Sequence, residues 1–189
     1  MKKIMTFLGL ILCVVSAQAQ IKDAGVKVGV DVTNFTSKNA PEFLLENTFG
    51  YEGGLFVDVR LAENSPFTFL GELLYNYKID GDSEAVFARI PMLFTYQVVD
   101  NFTVQAGPTI EINGFEETAE RHERQDLRGI GASATVGVAY DLTDLLVDGM
   151  SVTARYNHGL GNWARIEDRD IRASSFQVSL GYSFMKKNK

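Results

Sequence analysis

FQVSLGYSF, Phe176 to Phe184, decides how the rest of the chain is read. Phe176, Val178, Leu180, Tyr182 and Phe184 alternate with Gln177, Ser179, Gly181 and Ser183. A period of two places the two sets on opposite faces of a β-strand. A soluble protein would turn the aromatic face to a core and the polar face to water. A barrel in a membrane would do the reverse.

The same alternation recurs upstream and predicts strands over 24–35, 49–61, 67–79, 85–98, 102–113, 129–141, 150–160 and 173–184. Each is as long as a tilted membrane-crossing strand, about 9–11 residues. Strands of soluble proteins usually run about 5–6. Three connections are short or moderate: AENSP (Ala62–Pro66), VDN (Val99–Asn101) and LTDLLVDG (Leu142–Gly149). They alternate with Thr36–Thr48, Asp80–Glu84, Gly114–Arg128 and Gly161–Arg172, which apart from Asp80–Glu84 are longer. Short periplasmic turns and longer outer loops are the arrangement of outer-membrane barrels.

One stripe carries Val26, Val28, Val30, Val32, Tyr51, Leu55, Val57, Phe67, Phe69, Leu73, Phe94, Tyr96, Val136 and Val138, with almost no charge. The other carries Gly29, Gly50, Gly54, Gly107, Thr109, Ser133, Thr135, Gly137 and Ser179, interrupted by charges of both signs. Lys27, Asp31, Asp58, Arg60 and Lys78 lie on it, with Glu52, Glu72, Arg89 and Arg155. An eight-stranded interior is only wide enough for side chains to fill it, so small residues belong there. Charges held in that space must pair. The second stripe is therefore the inside. Aromatics gather near both strand ends, as rings at headgroup depth do.

The chain opens with Lys2 and Lys3, an apolar run from Ile4 to Val15, and Ala17-Gln18-Ala19. That is the pattern of a secretory signal peptide over 1–19, leaving 20–189 as one barrel domain. The single cysteine, Cys13, lies within the leader, so the mature chain has no disulfide, thiolate ligand or Cys nucleophile. Cleavage takes the formal charge from −6 to −8, which disfavours a nucleic-acid partner. The expected fold is all-β: an eight-stranded antiparallel up-and-down transmembrane barrel in the outer membrane.

RIPMLFTYQ (Arg89–Gln97), FTVQAGPTIEI (Phe102–Ile112), ARYNHGLGN (Ala154–Asn162) and FQVSLGYSF give the chain a family likeness. It resembles the small outer-membrane β-barrels of Bacteroidetes, the PorT-like group, akin in architecture to OmpA- and OmpX-type barrels. The resemblance implies insertion by the barrel-assembly machinery, with Phe184 in the C-terminal signal, and allows a role in protein secretion. It specifies a fold far better than an activity.

Four interior charges, Glu52, Glu72, Arg89 and Arg155, form the candidate lumen network. Folding the third predicted strand onto the fourth puts Glu72 and Arg89 within diagonal reach. A polar path is the functional reading, and a salt-bridge plug is the structural one adopted here. Pro91 and Pro108 suggest a paired bulge. His158 could serve a lipid hydrolase with Ser151 or Asp168, yet no G-x-S-x-G motif is present. His122 lies in a mixed-charge loop, and no metal-ligand spacing or cofactor motif occurs. Trp163 and Arg165, in GNWARIEDRDIR, are residue types favoured at binding hot spots. The expectation is a non-enzymatic barrel with outer-membrane lipids around it, the insertion machinery as a partner, and an unknown surface or secretion partner at its loops. A narrow solute channel, an outer-membrane lipid hydrolase and a soluble periplasmic lipid-binding barrel are the alternatives.

Overall fold

A computed structural model describes residues 20–38, 48–63, 65–80, 83–113, 130–143, 145–160 and 170–185. Eight strands run β1 Gln20–Lys38, β2 Thr48–Arg60, β3 Phe67–Asp80, β4 Ser83–Val99, β5 Phe102–Asn113, β6 Ile130–Asp141, β7 Met150–Gly159 and β8 Asp170–Ser183. Each pairs antiparallel with its chain neighbours, and β1 pairs with β8, closing the barrel. Closure leaves no unpaired sheet edge, which a β-structure surrounded by lipid requires.

The eight predicted segments correspond one to one with these strands. At the turn end β1 begins earlier than predicted, at Gln20 opposite Arg60, and the other sizeable extensions lie at the loop end. β1 extends to Lys38 and β8 begins at Asp170, and these two residues are register partners. β4 begins at Ser83, paired with Asp80. Backbone pairing continues there beyond the apolar alternation, because ladder hydrogen bonds need no apolar side chain.

At the turn end, Thr143 N–H donates to Asp141 Oδ1 over 2.9 Å and Gly149 N–H to Thr143 Oγ1 over 3.0 Å. Gly149 has φ +83°, a left-handed conformation suited to glycine, just before β7. The paired bulge expected at Pro91 and Pro108 is absent. Pro91 faces Thr109, Phe94 faces Ala106, and the register is unchanged between these pairs. The ladder shifts instead between Gln97 and Val99. Pro91 is buried inside and Pro108 is exposed outside, so the two side chains are on opposite faces.

Alternation sorts the side chains into two unlike surfaces. Val28, Leu55, Leu73, Tyr75, Phe94, Val136 and Phe176 stand outward, each more than half exposed. Aromatic pairs brace this surface near the turn end, where Phe67 meets Tyr96 at 4.9 Å and Phe69 meets Phe94 at 5.6 Å between ring centroids. Near the loop end Phe49 meets Tyr51 edge-on at 5.1 Å. The buried positions are mostly polar or charged, and the core is the lumen itself.

Candidate functional site in the barrel lumen

Among the described residues, strand parity gathers eight ions into two clusters in the lumen. In the first, Glu72 of β3 accepts both terminal nitrogens of Arg155 from β7, at 2.5 and 2.8 Å. Lys27 of β1 adds a third charged contact to the same carboxylate. Arg155 Nε donates to Gln105 Oε1 over 2.9 Å. Glu72 is thus a carboxylate hub with two cations.

The second cluster inverts that arrangement. Arg89 of β4 lies 3.2 Å from Glu111, 3.4 Å from Glu52 and 3.7 Å from Asp31. Its Nε contact with Glu111 is an ion pair whose angle does not complete a hydrogen bond. Asp31 also accepts from Thr33 over 2.9 Å and Asn76 over 2.8 Å, and Lys78 is 3.4 Å away. Gln177 donates to Glu52.

Charge balance joins the two clusters. Around Glu72 there is one cation in excess, and around Arg89 and Lys78 one carboxylate in excess. Gln177 sits between them, bonded to Glu52 and opposite Arg155 in the β7–β8 register. Only together are the clusters neutral, as a poorly hydrated interior demands.

Glycine makes room for these ions. Lys27 is flanked by Gly54 and Gly181 on its two neighbouring strands. Glu52 faces Gly29, Gly50 lies between Asp31 and Lys78, Glu111 faces Gly131, and Arg155 faces Gly137. A Cβ at Gly137 would stand 2.6 Å from Arg155 Cγ, so the guanidinium stem uses that missing side chain. Large and small positions alternate around the wall, as the interior of a small barrel requires.

A polar ladder continues the filling: Thr109 and Thr135 share a 2.6 Å hydrogen bond, Thr135 donates to Asn157 Oδ1 over 2.6 Å, and Asn157 donates to Ser175 over 3.0 Å. β2, β3 and β4 also carry an apolar patch on their inner face. Phe56, Leu70 and Leu93 pack together there, and Leu74 is fully buried.

Glu52, Glu72, Arg89 and Arg155 all point inward, but not as one network. The expected Glu72–Arg89 pair is not made. Arg89 faces Leu74 and Glu111 in register, and Glu72 reaches across the lumen to β7 and β1 instead. Diagonal neighbours lose to opposite walls here because the lumen is narrow enough for long side chains to span. Sequence reasoning left Glu111 out of the interior, although its parity between Ile110 and Ile112 marks it. It also missed Phe56, Leu70, Leu74 and Leu93. Their signal was apolar doublets that break the alternation, as in Leu55-Phe56-Val57, Phe69-Leu70 and Leu73-Leu74.

His158 faces outward, 3.3 Å from Ser174 and stacked beside Tyr156. Ser151 is at the other end of β7, paired with Asp141 and Gly181, so it cannot serve that histidine. Asp168, Trp163, Arg165, His122 and residues 1–19, expected to form a leader, lie outside the described residues.

Two solved structures share the architecture. Neisserial surface protein A is 12% identical, with 88% of this chain and 99% of that one covered at a TM-score of 0.50. Ail, the attachment invasion locus protein of Yersinia pestis, is 10% identical, with 87% and 100% covered at 0.51. At such identities they establish the fold alone. No curated protein matches the sequence. Residues 5–184 match the outer membrane protein beta-barrel domain family, so the chain belongs to that family and resides in the outer membrane.

Proposed function

We propose that this protein is a closed, non-enzymatic barrel that acts through its outer loops, in adhesion, in a surface assembly or as a structural element of the membrane. One observation carries the reading: two ion clusters and an apolar layer occupy the lumen. A solute path would have to break charge-assisted hydrogen bonds inside a poorly hydrated space. Function is then left to the surface. The turn end faces the periplasm, as in such barrels, and residues 1–19 are the export signal.

The outer loops supply the chemistry for contact. GFEETAERHERQDLR and GNWARIEDRDIR are dense in charge, and the second contains Trp163 and Arg165, residue types favoured at binding hot spots. Lipids and the insertion machinery are partners shared with any such barrel. A PorT-like placement would make the loop partner a component of protein secretion.

Crosslinking and pull-down from native outer membranes tests this, comparing the wild type with a variant whose 114–128 and 161–172 segments are replaced by short turns. The wild type is expected to retain a discrete partner that the variant loses while still inserting as a folded barrel. Equal capture by both would remove the loops from the account.

A further inference from the structure

The lumen is not filled to both ends. On the turn side of the Glu72 hub lies a cavity of about 440 Å³ that opens at that end. Small-molecule pockets are typically about 300–1,000 Å³. Phe56 and Leu70 form an apolar patch in its wall, beside Lys27, Thr95 and Gln105, and Asp23 and Asp141 also line it. Its mouth is charged. Lys22 Nζ lies 3.4 Å from Asp58 Oδ2, and Asp58 Oδ1 is buried without a hydrogen-bond partner.

Arg60 is two residues further along the same inward stripe, half-buried at the mouth. Its guanidinium makes no hydrogen bond or ion pair to any described residue. The other inward guanidiniums, Arg89 and Arg155, are both held by carboxylates. An open cation, an open acceptor and an apolar patch converge in this one cavity, and convergent polar groups of this kind fix the orientation of a ligand.

We propose that this vestibule binds a small amphiphilic carboxylate entering from the periplasm. Arg60 takes the carboxylate, in the fork geometry that suits a guanidinium. Phe56 and Leu70 cover the apolar part, and Asp58 Oδ1 accepts an N–H where the ligand has one. Peptide C-termini and short fatty acids share the carboxylate and the apolar group, and only the peptide end brings the N–H. The site rests on the orientation given above and does not depend on what the loops bind.

The test is amide NMR on the protein in lipid nanodiscs, titrated with N-acetyl-phenylalanine, with hexanoate, and with N-acetyl-phenylalanine amide as the uncharged control. A carboxylate is expected to shift the amides of Phe56, Arg60 and Leu70 saturably, with the uncharged control weaker by about tenfold or more. Arg60→Gln, with a spectrum still dispersed as a folded barrel, should bring the carboxylate down to the level of the control. If Asp58→Ala weakens N-acetyl-phenylalanine more than hexanoate, the ligand is a peptide end. If hexanoate binds as well as N-acetyl-phenylalanine and Asp58→Ala affects the two alike, it is a simple acid. Absence of saturable shifts with both acids would overturn the proposal. So would equal binding of acid and amide, or acid binding that Arg60→Gln leaves intact.

Discussion

The two ion clusters differ in the sign of their hubs. Glu72 is one carboxylate between two cations, held at hydrogen-bond distance. Arg89 is one guanidinium among three carboxylates, at 3.2 to 3.7 Å. The contrast concerns what remains when a hub is removed. Carboxylates stranded around a missing Arg89 can neutralise by taking up protons. Arg155 stranded by a missing Glu72 has no such escape, because a guanidinium keeps its charge. The hubs therefore differ in fragility as well as in sign.

Breaking the carboxylate hub should have the largest effect. Glu72→Gln leaves Lys27 and Arg155 facing each other, a loss of about 3–5 kcal/mol for an uncompensated buried charge. Urea unfolding in lipid vesicles, followed by the gel-mobility shift of the folded barrel, measures it. Adding Arg155→Gln should recover part of the loss, with a coupling of about 0.5–3 kcal/mol. Adding Arg89→Gln to Glu72→Gln should show less coupling, since the two hubs share no partner. Equal coupling in both cycles would merge the clusters into one.

Val57→Arg asks whether the other face meets lipid. Val57 is exposed on the outer surface of β2, between the inward Phe56 and Asp58. A charge there should cost about 2–4 kcal/mol in the same assay if the position is near mid-membrane. Loss-free insertion into bilayers would mean the faces are assigned the wrong way round.

Arg89→Gln should fall below Glu72→Gln, at about 1.5–3 kcal/mol. A loss as large as that of Glu72→Gln would remove the asymmetry between the hubs. Smaller again, at about 1–3 kcal/mol, is Gly137→Val, whose Cβ would meet the Ala154 carbonyl oxygen and Arg155 Cγ, both at 2.6 Å, straining the β6–β7 ladder as well as the Arg155 stem. Thr135→Val, which leaves Asn157 without its donor, should cost about 1–2 kcal/mol and be indifferent to either hub.

The sequence revealed what parity governs and concealed what crosses the lumen. Alternation of Val26, Val28, Val30 and Val32 with Lys27, Gly29 and Asp31 sets two faces, and closure of the barrel decides which is inside. That was enough to place Glu52, Glu72, Arg89 and Arg155 on the inner wall. Partner choice was not legible, because Glu72 and Arg155 are joined across the barrel from β3 to β7 rather than along a ladder. Local spacing carries no record of such a pair. The glycine opposite each of six ions could have been found once the register was drawn, since a large side chain inside needs a small one beside it. Arg60 shows the limit from the other side. Its position on the inward stripe was plain, and its lack of a described partner became visible only when every neighbouring side chain was in place.

Steady conductance in planar bilayers, wild type against Glu72→Gln, tests most directly whether the hubs close the lumen. The wild type should show little steady current. Glu72→Gln should raise it, as water enters to solvate Lys27 and Arg155, and adding Arg155→Gln should lower it again. A large, stable wild-type conductance that neither Glu72→Gln nor Arg89→Gln alters would contradict the closed barrel and make solute passage its function.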